Sequence, residues 1–493
     1  MPMRDMRTGV SPDGVMMSET GSELAHLPSG NDSSSETNTA SDASPDHSHR
    51  RSEWWRSSTV IAGEVMGTGV LSLPYACSRL GWALGLGASV LFGCTAIYSG
   101  HLLSYAKNHL YPDATSFADL AHRKRPRPRR NVRGRMLRGH TRDMLARFSA
   151  RTDTGGPRFG RFTRVSLACG WAMILPYYLI ACAASLNGAF PWLGMCYWQW
   201  SLIVMACAAP ALQYRSFHGL SILSLLSTGA IIIVVIVLVV ALVTTAPTDD
   251  AGVSTQHYVG LPPGQSFLRV YSSLGAFIFA YQGQSVFLEI MREMREPRHF
   301  PRALYSANGL MMLVYSSVSA AGYGSYGESV SGFLPDTLPA GIPRTVVGVL
   351  LAFHTLVSYL LTGQPLHRTL HLAISPHTAD QPEGAFHWAC LTLGMLLLAF
   401  LVANVIPFFA DVQDLLGNIL GAPTVFGWPA FFFLRGSALR GRPVATVDRV
   451  VCTFFLLVLL PAFTLLGTAN AVLVLVEDLK GATLAPFQCQ PQG

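Results

Sequence analysis

Ile61-Ala62-Gly63-Glu64-Val65-Met66-Gly67-Thr68-Gly69-Val70-Leu71-Ser72-Leu73-Pro74-Tyr75-Ala76 is apolar enough to enter a bilayer, yet it carries its own helix breakers. In hydrocarbon every backbone N–H and C=O needs a partner. Glycines two apart followed by Pro74 therefore fit where freed peptide groups face a protein-lined cavity or a bound solute. Close packing of small residues is the alternative reading. Two features weigh against it: Glu64 lies inside the same span, and a second interrupted apolar segment, Phe277-Ile278-Phe279-Ala280-Tyr281-Gln282-Gly283-Gln284-Ser285-Val286-Phe287-Leu288-Glu289, follows later in the chain. Paired broken spans point to an inverted repeat with a binding site near the bilayer midplane.

Working outward, half of the 493 residues are hydrophobic and 13% are charged, against roughly 25% charged in a soluble domain. The chain reads as an all-α polytopic membrane protein. With about 20 apolar residues per crossing, spans fall near 57–80, 84–106, 165–190, 199–212, 220–243, 266–291, 303–323, 344–366, 386–406, 412–434 and 450–476, about eleven in all. Lys and Arg near span ends mark the cytoplasmic side. Arg51, Arg56, Arg215, Arg292, Arg295, Arg368, Arg435 and a dense run after the second span all fall on one side, with Arg344 the main exception. An odd number of spans then places the N-terminus in the cytoplasm and the C-terminus outside or in a lumen.

The formal charge of +7 comes from one loop: 15 of the 35 basic residues lie between Arg123 and Arg164. Excess charge confined to one insertion argues against nucleic acid as a partner. It fits a cytoplasmic insertion over 122–164 that fixes topology and meets anionic lipids of the inner leaflet. Residues 1–52, rich in Ser, Asp, Thr and Gly, read as a disordered cytoplasmic tail, 53–480 as the membrane domain and 481–493 as an extracytoplasmic tail. Asn31-Asp32-Ser33 matches a glycosylation acceptor but lies on the cytoplasmic side of this scheme. Of nine cysteines, Cys196 and Cys489 alone fall on the far side, where a bridge between them could form. No metal-ligand spacing, HExxH or GxSxG is present, which excludes the commonest intramembrane hydrolase chemistries.

Gly67-Thr68-Gly69-Val70-Leu71-Ser72-Leu73-Pro74-Tyr75-Ala76 followed by Gly81-Trp82 is similar to the first-helix signature of the amino acid/auxin permease family. Phe279-Ala280-Tyr281 running to Glu289, then Glu296-Pro297 and Phe300-Pro301, is similar to its sixth helix. Gly322-Tyr323-Gly324-Ser325-Tyr326-Gly327 resembles the end of the seventh, and Ile406-Pro407 through Gly417 to Pro429-Ala430 resembles the tenth. The resemblance spans about Ser57 to Val476 and leaves out the tail and the Arg-rich insertion. It implies a fold like that of the bacterial leucine transporter, with two five-helix repeats of inverted topology, discontinuous helices 1 and 6, and an extra C-terminal helix. It also implies proton-coupled or sodium-coupled symport of amino acids without a cofactor, at the plasma membrane or at a vacuolar or lysosomal membrane.

An amino acid is a zwitterion, so a midplane site must neutralise both of its ends. Amides freed at Gly67, Thr68 and Gly69 suit the carboxylate, aided by the half-helix dipole. Carbonyls freed around Phe279, Tyr281 and Gly283 suit the ammonium. Tyr178 in the third span is placed to close over the carboxylate, or else is an aromatic packing residue. Glu64, less than a turn before the break, is a candidate proton carrier or a structural hydrogen-bonding group. Glu289 at the inner end of the sixth span is a candidate gate with Arg292 or Arg295, or an exposed ion pair of little energetic weight. Gln284 cannot titrate where related sequences often carry His. In the eighth span His354, Thr355, Ser358 and Thr362 form a polar stripe. Thr355 and Ser358 hydroxyls could bind sodium and His354 could take a proton, or the stripe could make interhelical hydrogen bonds. A receptor that keeps this fold and signals through its tail and basic loop is the competing class; it would bind amino acid without concentrating it.

Overall fold

The computed structural model describes residues 52–112, 114, 117–122, 156–214, 220–247, 256–377, 384–481, 487 and 489. The expected tail up to residue 51, the insertion over 123–155, Arg215 and most of the C-terminal tail lie outside the described residues.

Helix α1 (Trp54–Val65) stops where Gly67 and Gly69 predict it, and a 3-10 turn over Thr68–Ser72 leads into α2 (Leu73–Tyr105). Within α2 the chain bends at Gly81, whose φ of 76° and ψ of 171° suit glycine alone. The amides freed there are taken up by a loop: Trp82 N and Ala83 N donate to the Tyr258 and Val259 carbonyls, each at 2.9 Å. A short α3 (Phe117–His122) precedes α4 (Gly156–Ala189), which begins well before the expected span start at Val165. The last part of the basic stretch is therefore helical. Next come α5 (Tyr197–Ala211) and α6 (Leu220–Thr244). Helix α7 (Phe267–Ala280) ends at the second predicted break, and after a 3-10 turn over Gln284–Val286 the chain resumes in α8 (Phe287–Glu293).

The remaining helices are α9 (Phe300–Tyr326), α10 (Ile342–Ile374), α11 (Ala385–Val405), α12 (Phe409–Leu416), α13 (Trp428–Leu439), α14 (Thr446–Phe454) and α15 (Thr468–Gly481). Helices α12 and α13 are joined by π-helical turns over Gly417–Gly421 and Pro423–Gly427, so this span runs on without a gap. Among the described residues seven helical stretches are long and apolar enough to cross a bilayer: Thr68–Leu110, Arg158–Ala189, Ile222–Thr244, Ile342–Ile374, Ala385–Val405, Phe409–Leu439 and Thr446–Gly481. Interruption accounts for much of the difference from eleven. Helices α1, α7 and α8 are each too short alone, and the second half of the first span fuses with the second across Gly81.

Packing encloses the two broken helices. Helix α9 lies along α1 and α2, α10 lies along α4 and α6, and α7 is held between α2, α12 and α15. At the crossing of α7 with the end of α12 the backbones touch, because a Cβ on Gly417 would run into the Gly275 carbonyl. The outward faces carry large apolar side chains such as Leu225, Ile236, Val240, Leu457 and Leu465, as a lipid-facing surface requires.

Candidate functional site

The two breaks meet at a tyrosine. Tyr315 of α9 is fully buried, and its hydroxyl lies 3.2 Å from the Val65 carbonyl and 3.0 Å from the Ala280 carbonyl. Those are the last residues of α1 and α7, where the helix stops; the Gly67 amide, expected to be free for a carboxylate, instead donates to the Val65 carbonyl at 2.8 Å. Tyr281 packs its ring on Tyr315 at 5.0 Å and sets its own hydroxyl 3.4 Å from Ser89. Gly69 lies directly against α7, where a Cβ would come within 2.9 Å of the Ala280 Cα. Gly283 lies against the Val65 side chain, and its amide is accepted by the Gln284 side chain at 2.9 Å. Of the carbonyls expected to meet an ammonium, that of Phe279 accepts from the Gln282 amide and that of Gly283 from the Val286 amide, each at 3.2 Å, and the Ala280 carbonyl between them is engaged by Tyr315.

On the far side of the first break, Gln413 of α12 donates to the Gly69 carbonyl at 2.9 Å and accepts from the Tyr177 hydroxyl at 2.8 Å. The Tyr177 ring sits edge-on to Phe279 at 5.0 Å and stacks on Phe409 at 4.9 Å. Its neighbour Tyr178 instead lines a cavity with Glu64 and Thr362. The amides of Thr68 and Gly69 head the 3-10 turn with no side-chain cap from Gly67, in the place expected for carboxylate recognition.

That cavity, about 820 Å³, begins at Glu64, Val65, Gln282 and Gly283 and widens toward Phe159, Trp428 and Phe431 at the ends of α4 and α13. Its lining is mostly apolar, and among the described residues Glu64 is its only charged side chain. At the opposite end, which we call outer after the charge-based orientation, the way to the breaks is shut. Phe409 packs between Tyr177 and Phe333. Beyond it Arg79 lies over the Tyr75 ring, bonds its hydroxyl, and faces Asp411 at 3.9 Å.

The eighth-span stripe is split by the structure. Helix α10 packs chiefly on α4 and α6, and it reaches the first span through His354, whose Nε2 would lie 3.6 Å from a Cβ on Gly67. His354 Nδ1 is held by the Ser227 hydroxyl at 2.9 Å, while Nε2 is buried without a partner. Thr355 donates to the Leu351 and Ala352 carbonyls and Ser358 to the His354 carbonyl, so both hydroxyls are engaged within their own helix. Glu289 Oε2 is buried without a hydrogen bond. Its expected partner Arg295 pairs with Glu53 at 3.4 Å, and a backbone bridge between Ser52 and Met294 ties the start of α1 to the end of α8.

The description Transmembrane amino acid transporter protein matches residues 50–473, nearly the whole described membrane region. The chain belongs to the transmembrane amino acid transporter family. Membership places it among membrane transporters rather than enzymes, in agreement with the motif comparison. Among its relatives, Amino acid transporter AVT1B of Arabidopsis thaliana is 27% identical over 429 residues, covering 84% of this chain and 70% of the relative. The Vesicular inhibitory amino acid transporter of Rattus norvegicus is 24% identical over 398 residues, covering 77% and 69%. The fold is similar to that of Mhp1 in its inward-facing conformation, with a TM-score of 0.52 and 13% identity over 88% of this chain and 92% of that one. In this family member Tyr315, Tyr177, Gln413, Arg79 and Asp411 join the site although no motif above rests on them. Arg79 and Asp411 carried a signal, since charges at the ends of apolar spans are costly unless paired.

Proposed function

We propose that the chain is a secondary active transporter that carries amino acids into the cytoplasm, driven by a proton gradient. The meeting of both broken helices at Tyr315, beside a cavity, carries this reading. It supplies, within one site, uncapped amides at Thr68 and Gly69 for a carboxylate and the Glu64 carboxylate for an ammonium. The arrangement of cavity and closed outer aromatic plug fits a carrier resting open toward the cytoplasm.

One observation favours the proton. An imidazole nitrogen without a partner stands beside Gly67, and a group of that kind can bind and release a proton during the cycle.

The experiment is uptake of a panel of radiolabelled amino acids into proteoliposomes, with inward proton and inward sodium gradients imposed separately. The expected result is accumulation above equilibrium under the proton gradient alone. Accumulation under sodium alone would overturn the coupling, and saturable binding with no flux under either gradient would overturn transport in favour of a receptor.

A further inference from the structure

The outer lid holds more carboxylates than it has cations to match. Arg79 faces Asp411 at 3.9 Å, and Arg269 of α7 is held by Asp478 at 2.7 Å and Glu477 at 3.6 Å. Asp414 lies on α12 three residues beyond Asp411, so the two share one face. It is 3% exposed, and among the described residues no Lys, Arg or His forms an ion pair with it. The Ser272 hydroxyl donates to its carboxylate at 3.4 Å, with the Ala276 amide alongside. Asn418, a turn further on, donates to the Asp414 main-chain carbonyl and not to its carboxyl.

Every element packed on this part of α12 contributes to the balance. From the first span come Tyr75 and Arg79, from α7 come Arg269 and Ser272, and from α15 come Glu477 and Asp478. Helix α4 contributes Tyr177, whose hydroxyl is committed to Gln413. Both cations are therefore already committed, Arg79 to Tyr75 and Asp411 and Arg269 to Asp478 and Glu477. A sealed, ionised carboxylate with so few donors is costly, and the cost is removed either by water when the lid opens or by a proton when it closes.

We propose that Asp414 is a proton-binding site of the outer lid: the lid seals when outside solution has protonated this carboxyl, and an ionised Asp414 holds it open to water. The inference takes its purpose from the transport reading above, but it does not depend on which ion drives transport. It concerns a group on the opposite side of the break from His354, and it makes lid closure rather than substrate binding the pH-dependent step.

Ala410, buried beside Asp411, can report the lid as a single added cysteine, Ala410→Cys. The measurement is its rate of modification by a membrane-impermeant thiol reagent from the outer face of proteoliposomes, as outside pH is lowered. Each rate is normalised to the denatured protein and corrected for the chain without the substitution. With Asp414 intact, acidification slows modification by about tenfold, as a shift of population toward the sealed state requires. Adding Asp414→Asn, which mimics the protonated carboxyl, gives slow modification at every pH. Adding Ser272→Ala, which removes a donor to the ionised form, moves the transition to higher pH and serves if the Asn variant fails to fold. Rates independent of pH with Asp414 intact, or an unchanged pH response in either variant, would overturn the proposal. The readout requires no flux, so a failure of proton-driven uptake leaves it standing, whereas intact uptake with pH-independent labelling removes the lid site alone.

Discussion

Tyr315 has one O–H proton and lies within hydrogen-bonding distance of two carbonyls, one from each broken helix. Tyr315→Phe keeps the ring on Tyr281 but leaves the Ala280 carbonyl without its donor, at about 1–3 kcal/mol for a buried group left unsatisfied, while the Val65 carbonyl keeps the Gly67 amide at 2.8 Å. The expected outcome is a lowered melting temperature in detergent together with at least a severalfold loss of uptake; unchanged values of both would show that the carbonyl finds another partner. His354→Gln is the second test at this scale. Glutamine can still accept from Ser227 but cannot titrate, so proton-driven accumulation should disappear while exchange of labelled for unlabelled amino acid at equal pH persists. Loss of exchange as well would make His354 a structural residue. These residues were differently legible. A histidine in an apolar span announces itself, as His354 does. Tyr315 does not, because a tyrosine in a helix gives no sign of whether its hydroxyl meets a neighbour's main chain. The choice between Tyr177 and Tyr178 likewise depends on the rotation of α4, which adjacent aromatic residues leave open.

The breaks themselves were readable, since Gly67, Gly69, Pro74 and Gly283 act on the backbone before any tertiary contact forms. The end of α12 was not. Its π-helical turns begin at the close passage of Gly417 over Gly275, a contact between segments far apart in sequence. Gly417→Ala would drive a methyl group into the Gly275 carbonyl, and overpacking of this kind costs about 1–3 kcal/mol. Reduced thermal stability with α7 displaced from α12 is expected, and a melting temperature equal to that of the unaltered chain would argue that the helices slide apart freely. Gly67→Leu tests the first break in the opposite way. A leucine there meets the His354 ring within the freed segment, so transport should be abolished while membrane insertion and folding continue, as judged by uptake and by size-exclusion elution of the purified protein. Uptake at the normal rate would remove the break from the transport site.

For the molecule as a whole, helical membrane architecture was legible in composition, because it depends on the bilayer rather than on specific neighbours. The closed outer lid was not, since it joins Arg79, Asp411 and Asp478 from three distant segments. The far-side cysteines do meet: Cys196 and Cys489 form a disulfide with a Cα separation of 5.1 Å. A disulfide persists on an oxidising face of a membrane and not in a reducing cytoplasm. This bond therefore ties the loop before α5 and the C-terminal tail to the same side, the side the charge rule assigns to the C-terminus. In sealed, right-side-out vesicles an impermeant maleimide added outside should leave both cysteines unmodified until a reductant is supplied, and should label both afterwards. Labelling that requires permeabilisation would place the pair in the cytoplasm, reverse the orientation, and make the large cavity between the breaks and Trp428 an outward-facing one.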